Sequence, residues 1–321
     1  MLDNLEDIHY LCFGGGGGYG MMFRGALEVL VRKRNLNINA IKGCIGTSAG
    51  ALTAFAVVSG VSYDRFLKLS LEYDHFNVAP KMDVALLVNH YGMDEGSKLM
   101  ELIEAAVEAA GMAKCITFSD LYRLTNKHLV CVASNLDTQE AVYLDHNSNP
   151  DMEVKLAIRI SMGLPLIFPP YVIDETYYVD GGITNNYPID FFPIKNTLIF
   201  CIRHENKTVR TWKEYGISVI DCGLTAQKNN FMQRLKDINM ESHVIELHKP
   251  AYDIKITEIR LDVAVYGFYC MLLKLCPETL VAIEKIILFT IMRFVKILGA
   301  IEDTPLYNEV DFECETQLPE E

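Results

Sequence analysis

Gly46-Thr47-Ser48-Ala49-Gly50 is the stretch on which the reading of this chain turns. A short apolar segment, Ile41-Lys42-Gly43-Cys44-Ile45, leads into it, and a helix-forming run, Ala51 to Val58, leads out. Strand, tight turn with Gly-x-Ser-x-Gly, then helix is the sequence form of a turn that holds a nucleophilic serine clear of the backbone. A serine hydroxyl is a weak nucleophile and needs a base within reach. The strand and helix backbones cross closely at such a turn, so its neighbours must be small, and Gly46, Ala49 and Gly50 are. The plain alternative is a turn of small residues around an ordinary serine.

About thirty residues upstream, the apolar run Ile8-His9-Tyr10-Leu11-Cys12-Phe13 suits a buried strand. Gly14 to Gly18, Tyr19 and Gly20 follow, and Met21 to Arg34 reads as a helix. Consecutive glycines lose much backbone entropy on folding, so their place between a strand and a helix calls for a use. Three uses compete. Gly15, Gly17 and Gly20 fit the spacing of a dinucleotide fingerprint, although a glycine run meets that spacing by default and no acidic residue ends a second strand at the expected distance. A P-loop lacks its Gly-Lys-Ser/Thr. The third use is an oxyanion hole, in which backbone N–H groups face the negative oxygen of a tetrahedral intermediate.

Downstream, Tyr63 to Ala110 reads as mostly helical, with Leu99, Ile103 and Val107 on an apolar face. His128 to Ala133 and Glu140 to Leu144 read as strands joined by a turn, and Glu153 to Ser161 as a helix ended by Gly163 and Pro165. Asp174-Glu175 separates two further short strands, and Asp180 ends the second of them, followed by Gly181 and Gly182. A carboxylate there can lie against another backbone and face a cavity; an ordinary Asp-Gly surface turn is the competing reading. Thr197 to Arg203 and Ile217 to Asp221 read as strands, Thr225 to Asn239 as a helix, and His243 to Leu247 as one more strand. Strands alternating with helices predict an α/β fold with a largely parallel sheet.

Composition narrows the classes. Half of the 321 residues are hydrophobic, enough for a sizeable core. The formal net charge of −13 argues against nucleic acid as a partner. All Lys and Arg precede residue 299, and eight acids follow it, so residues 1–298 carry only −5 and the tail from Glu302 reads as solvated. Nine scattered cysteines without a Cys-x-x-Cys pair fit neither a disulfide framework nor a zinc cluster, and point to a reducing, cytoplasmic setting. Leu261 to Leu298 is densely apolar, but its longest uncharged stretch, Val263 to Leu273, is too short to span a bilayer. A core helix, a cover over the site and an interfacial helix are its three readings, the last giving peripheral membrane contact through 261–298.

Glycine loop, Gly-x-Ser-x-Gly and Asp-Gly-Gly, in that order, resemble the patatin-like phospholipases. Gly15, Gly16, Gly17, Gly18 and Gly20 resemble the family's oxyanion loop, and Gly25 falls where members often carry glycine. Gly46 to Gly50 resembles its nucleophile elbow, and Asp180-Gly181-Gly182 with Asn185-Asn186-Tyr187-Pro188 its Asp-Gly-Gly element. Ser161 to Pro170 is similar to the stretch before that element. Tyr19 departs from the family, many members of which have a basic residue there. The resemblance covers about residues 8–195. It implies a three-layer α/β sandwich with a largely parallel sheet and a helical C-terminal extension. The expected division is a catalytic domain over 8–195, the rest of the body with apolar helices over 196–300, and an acidic tail over 301–321. The implied activity is hydrolysis of phospholipids or other acyl-ester lipids through a Ser48–Asp180 dyad, with no metal and no cofactor. Two alternatives stand beside it: an esterase with a Ser-Asp-His triad, drawing on His204, His243 or His248, and a non-catalytic nucleotide- or protein-binding module that uses the glycine loop.

Overall fold

Side chains alternate along every central strand, and that alternation builds two cores. Leu11, Phe13, Cys44, Leu129, Cys131, Leu198 and Phe200 face one side of the sheet, and Cys12, Ile45, Val130, Val132, Ile199 and Cys201 the other. The computed structural model describes residues 5–72, 83–203 and 212–248. They form β1 (Tyr10–Phe13), α1 (Met21–Arg34), β2 (Gly43–Thr47), α2 (Ala49–Val58), α3 (Tyr63–Glu72), α4 (Val84–His90), α5 (Ser97–Ala109), α6 (Phe118–Thr125), β3 (His128–Asn135), β4 (Glu140–Leu144), α7 (Val154–Ser161), β5 (Tyr171–Ile173), β6 (Thr176–Asp180), β7 (Thr197–Arg203), α8 (Trp212–Asp237) and β8 (Val244–His248).

These strands make one sheet in the order β5-β6-β3-β2-β1-β7-β8, with β4 also on β3. The centre is parallel: β3 with β2, β2 with β1, β1 with β7, and β7 with β8. Helices α1, α2, α5 and α7 bury apolar faces on the first side, whereas α8 covers the second with Phe231 and Leu235. Three layers result, because a parallel sheet leaves neither face to water. The expected α/β sandwich is the observed fold.

One register detail places the site. Val132 of β3 faces Thr47 on one edge and Tyr143 on the other, and the next residue, Ala133, faces Asp180 and Val142. A strand residue has only two lateral neighbours. Thus β4 lies along one edge of β3, while β2 and then antiparallel β6 share the other edge, tip to tip. The ends of β2 and β6, Thr47 and Asp180, therefore meet.

Two element readings change. Ile217 to Asp221, expected as a strand, lies inside the 26-residue helix α8. A five-residue apolar run has no readable period, and Val219 is 56 % exposed on the helix surface. Helix α6 was not foreseen, although Thr117 and Asp120 form a capping box at its start. The apolar segment 261–298, the acidic tail and His204 lie outside the described residues. Among those described, no helix is long and apolar enough to cross a membrane.

Candidate active site

Ser48 stands between β2 and α2 with φ 56° and ψ −129°. A residue with a side chain seldom adopts that conformation, which costs on the order of 1–3 kcal/mol. Close packing enforces the turn. A Cβ on Gly46 would run into the Gly50 carbonyl, and one on Gly50 into the carbonyls of Phe13 and Gly14. Three bonds hold the turn in place. The Ser48 N–H donates to Ser161 Oγ (2.9 Å) at the end of α7, Ala51 N–H donates to the Ser48 carbonyl (2.8 Å), and Thr47 Oγ1 donates to the Asn185 carbonyl (3.1 Å).

Asp180 is 3 % exposed. Its backbone is pinned on both sides, its N–H donating to the Gly163 carbonyl (2.9 Å) and its carbonyl accepting from Ser134 Oγ (2.8 Å). The side chain accepts from the Gly182 N–H (2.8 Å), and the Ser48 hydroxyl lies near enough to help hold its pKa down. Burial pushes the carboxyl from its ordinary 3.8 up to about 6, and the two donors hold it from rising further. Gly181 lies flat on β3, where any Cβ would meet the Val132 carbonyl.

The glycine loop closes the third side. Gly14 N–H donates to the Phe200 carbonyl (3.0 Å), Gly15 N–H to Asn186 Oδ1 (3.0 Å), and Tyr19 N–H to the Gly16 carbonyl (3.1 Å). Gly17 and Gly18 open a short 3₁₀ turn that ends at Gly20. The first N–H groups of such a turn have no acceptor inside it. Gly17 has φ +53° with open space where a Cβ would stand, so backbone angle, not crowding, is what favours glycine there. Gly15 touches the elbow: a Cβ on it would come 3.3 Å from Ser48 Cβ. Gly20 rests against Ala49. The glycine loop, the Gly-x-Ser-x-Gly turn and the Asp-Gly-Gly element thus converge on one place.

Three further residues serve it. Asn186, 1 % exposed, joins the glycine loop to the Asp-Gly-Gly element. Gln227, from α8, accepts from the Asn186 N–H (2.7 Å) and donates to the carbonyls of Gly182 (2.8 Å) and Ile183 (3.2 Å). Ser161 supports the elbow. Asn186 and Ser161 stood in stretches that could have flagged them; Gln227 is an ordinary helix residue with no local signal.

A triad finds no partner in His243. It precedes β8, at the level of Leu198, and its Nε2 lies 3.2 Å from the Lys195 carbonyl. From Ser48 that is three strands across and four residues back along the sheet, roughly 20 Å by strand spacing and rise. Of His248 only the backbone is described.

Comparison with known proteins bears on the family and the fold. A family model, patatin-like phospholipase, matches residues 11–193. The probable lipid hydrolase 463L of Invertebrate iridescent virus 6 is 27 % identical over 222 residues, 68 % of this chain and 72 % of that one. Uncharacterized protein R571 of Acanthamoeba polyphaga mimivirus is 28 % identical over 279 residues, 83 % of this chain and 91 % of that one. The crystal structure of VipD from Legionella pneumophila superposes with a TM-score of 0.50 at 15 % identity, over 83 % of this chain and 66 % of that one, a likeness of fold. With the family model covering more than half of its length, the chain belongs to the patatin-like phospholipase family of lipid acyl hydrolases.

Proposed function

We propose that this enzyme cleaves acyl esters of phospholipids through Ser48 and Asp180. The observation that carries the reading is a buried Asp180 carboxyl, pushed up to about 6, beside the strained Ser48 turn. A carboxylate in that range is ionised at neutral pH, yet is a stronger base than an exposed one. Ser48 Oγ attacks the acyl carbonyl while Asp180 takes its proton. The N–H groups of Gly16, Gly17 and Gly18 hold the oxyanion. Collapse of the intermediate expels the alcohol, which recovers the proton from Asp180. Water then attacks the acyl-enzyme, again giving a proton to Asp180, and the fatty acid leaves as Ser48 Oγ is reprotonated.

Asn186 and Gln227 fit as positioning residues, since they tie the glycine loop, the Asp-Gly-Gly turn and α8 together without touching Ser48 Oγ. The lipid setting suits peripheral contact with a membrane. Incubation of the full chain with a fluorophosphonate probe and phospholipid vesicles tests the reading. Expected are a single adduct on Ser48 and release of fatty acid, both absent in Ser48→Ala. An unlabelled Ser48 with no fatty acid released would sink it.

A further inference from the structure

Large apolar side chains exposed to water are scattered singly on most proteins, and a cluster of them marks a contact surface. Here several gather beside the site. Tyr91, 61 % exposed, contacts the ring of Tyr177 edge-on at 6.4 Å. Tyr177 pairs across the β5–β6 hairpin with exposed Val172. Exposed Val88 precedes Tyr91 by three residues on α4 and its cap, hence on the same side. Leu166, 57 % exposed, bridges to Gly92, and its carbonyl accepts from the Met93 N–H (3.1 Å).

Backbone strain points the same way. Tyr91 and Leu166 have φ of 63° and 68°, a left-handed conformation unfavourable for residues with large side chains. Neither gains burial in return. Tyr91 caps α4, its N–H donating to the Leu87 carbonyl (3.0 Å), a place that glycine or asparagine fills at less cost, so an exposed tyrosine there points to function rather than folding.

The surface flanks the dyad along the chain, with Tyr177 on the face of β6 opposite Asp180. Tyr177 lies three residues before Asp180 on β6, about 10 Å along the strand. Gly163, whose carbonyl holds the Asp180 N–H, begins the turn that carries Leu166. Charge then selects the occupant. Segments 84–93 and 164–178 contain no Lys or Arg, and the hairpin tip carries Asp174 and Glu175. An anionic membrane would be repelled from such a surface, whereas a zwitterionic one would not.

Resting on the reading of this site as a lipid hydrolase, we propose that Val88, Tyr91, Leu166, Val172 and Tyr177 form the face by which the enzyme docks on a zwitterionic phospholipid surface, bringing the Ser48 pocket to the lipid. The test compares the full chain with the double variant Tyr91→Asp, Leu166→Asp and, separately, with Val172→Lys. Aspartate tolerates the left-handed conformation, so the double variant should melt no lower than the wild type. Sedimentation with phosphatidylcholine vesicles should show binding weakened by about tenfold or more, since carboxylates replace two inserted apolar groups. Val172→Lys should weaken it too. Turnover of a soluble short-chain ester should stay at the wild-type level in each.

Three results overturn the proposal. One is variants that bind vesicles like the wild type; another is wild type that ignores phosphatidylcholine or prefers phosphatidylglycerol. The third is a wild-type dimer made monomeric by the substitutions, which would make the occupant a second copy. Failure of the chemistry reads out separately: with Ser48 unlabelled by the fluorophosphonate, the vesicle arm still decides the surface.

Discussion

Asp180 carries opposing demands at a single residue. Burial that makes it a better base also makes its ionised form costly. Unfolded, the carboxyl titrates near 3.8, and folded near 6. Between those values the folded chain keeps a proton that the unfolded chain has lost. Stability therefore falls as pH rises through that window, by about 3 kcal/mol once pH 7 is reached. Asp180→Asn removes the ionisation and keeps the shape. In thermal melts it should be more stable than the wild type at pH 8, and the difference should vanish near pH 4. Its ester turnover should fall by orders of magnitude, because the base is gone. In the wild type, kcat/KM should climb with pH and level off above about 6, since only the ionised carboxyl accepts a proton. A variant equally active, or less stable at pH 8 with unchanged fold, would contradict this account of Asp180.

At the scale of elements, α8 contributes more than a cover for the sheet. Through Gln227 it grips the Asn186 N–H and the Gly182 and Ile183 carbonyls at once. Gly182 in turn donates to Asp180. Gln227→Leu keeps the apolar bulk but leaves these groups unpaired, at a cost of about 1–3 kcal/mol. Turnover should drop roughly tenfold or more as the donors drift. A loosened Gly182 N–H donates less well to the carboxylate, so the acid limb of the pH profile should move to higher pH. A merely structural role for Gln227 would lower stability and leave that limb in place. The elbow depends on a neighbouring element in the same way: α7 supplies Ser161, whose hydroxyl accepts from the Ser48 N–H.

On the scale of the whole molecule, the parallel strands give the sheet two unlike ends. Ser48, Asp180 and the glycine loop collect where the central strands finish, as ligands do in open α/β sheets. His243 lies by Lys195, toward the end where strands begin, and is buried. His243→Ala should therefore keep near wild-type kcat while losing some thermal stability. Abolished turnover in a folded His243→Ala protein would bring the triad back.

Much of this was legible in the residues, and the reason is locality. The helix at Met21–Arg34, the strands around Phe13, Thr47 and Asp180, and the turn at Asp174-Glu175 follow from side-chain period and from glycine placement within a few positions. Gly-x-Ser-x-Gly requires small neighbours for a steric reason that acts within five residues. The run Ile217–Asp221 was too short to show a period, so its helix emerged only with α8 complete. What no local pattern contains is the register of β3. Its edge passes from Thr47 to Asp180 at adjacent residues, Val132 and Ala133. Gly15 finds Asn186 at a separation of 171 residues. Those meetings depend on which strand lies beside which, and a strand presents the same backbone groups to any neighbour. Sequence alone determined the family motifs and most of the elements. Tertiary structure decided that the ends of β2 and β6 bring Ser48 and Asp180 together, that Gln227 holds the Asp-Gly-Gly turn, and that the Asp180 carboxyl is buried.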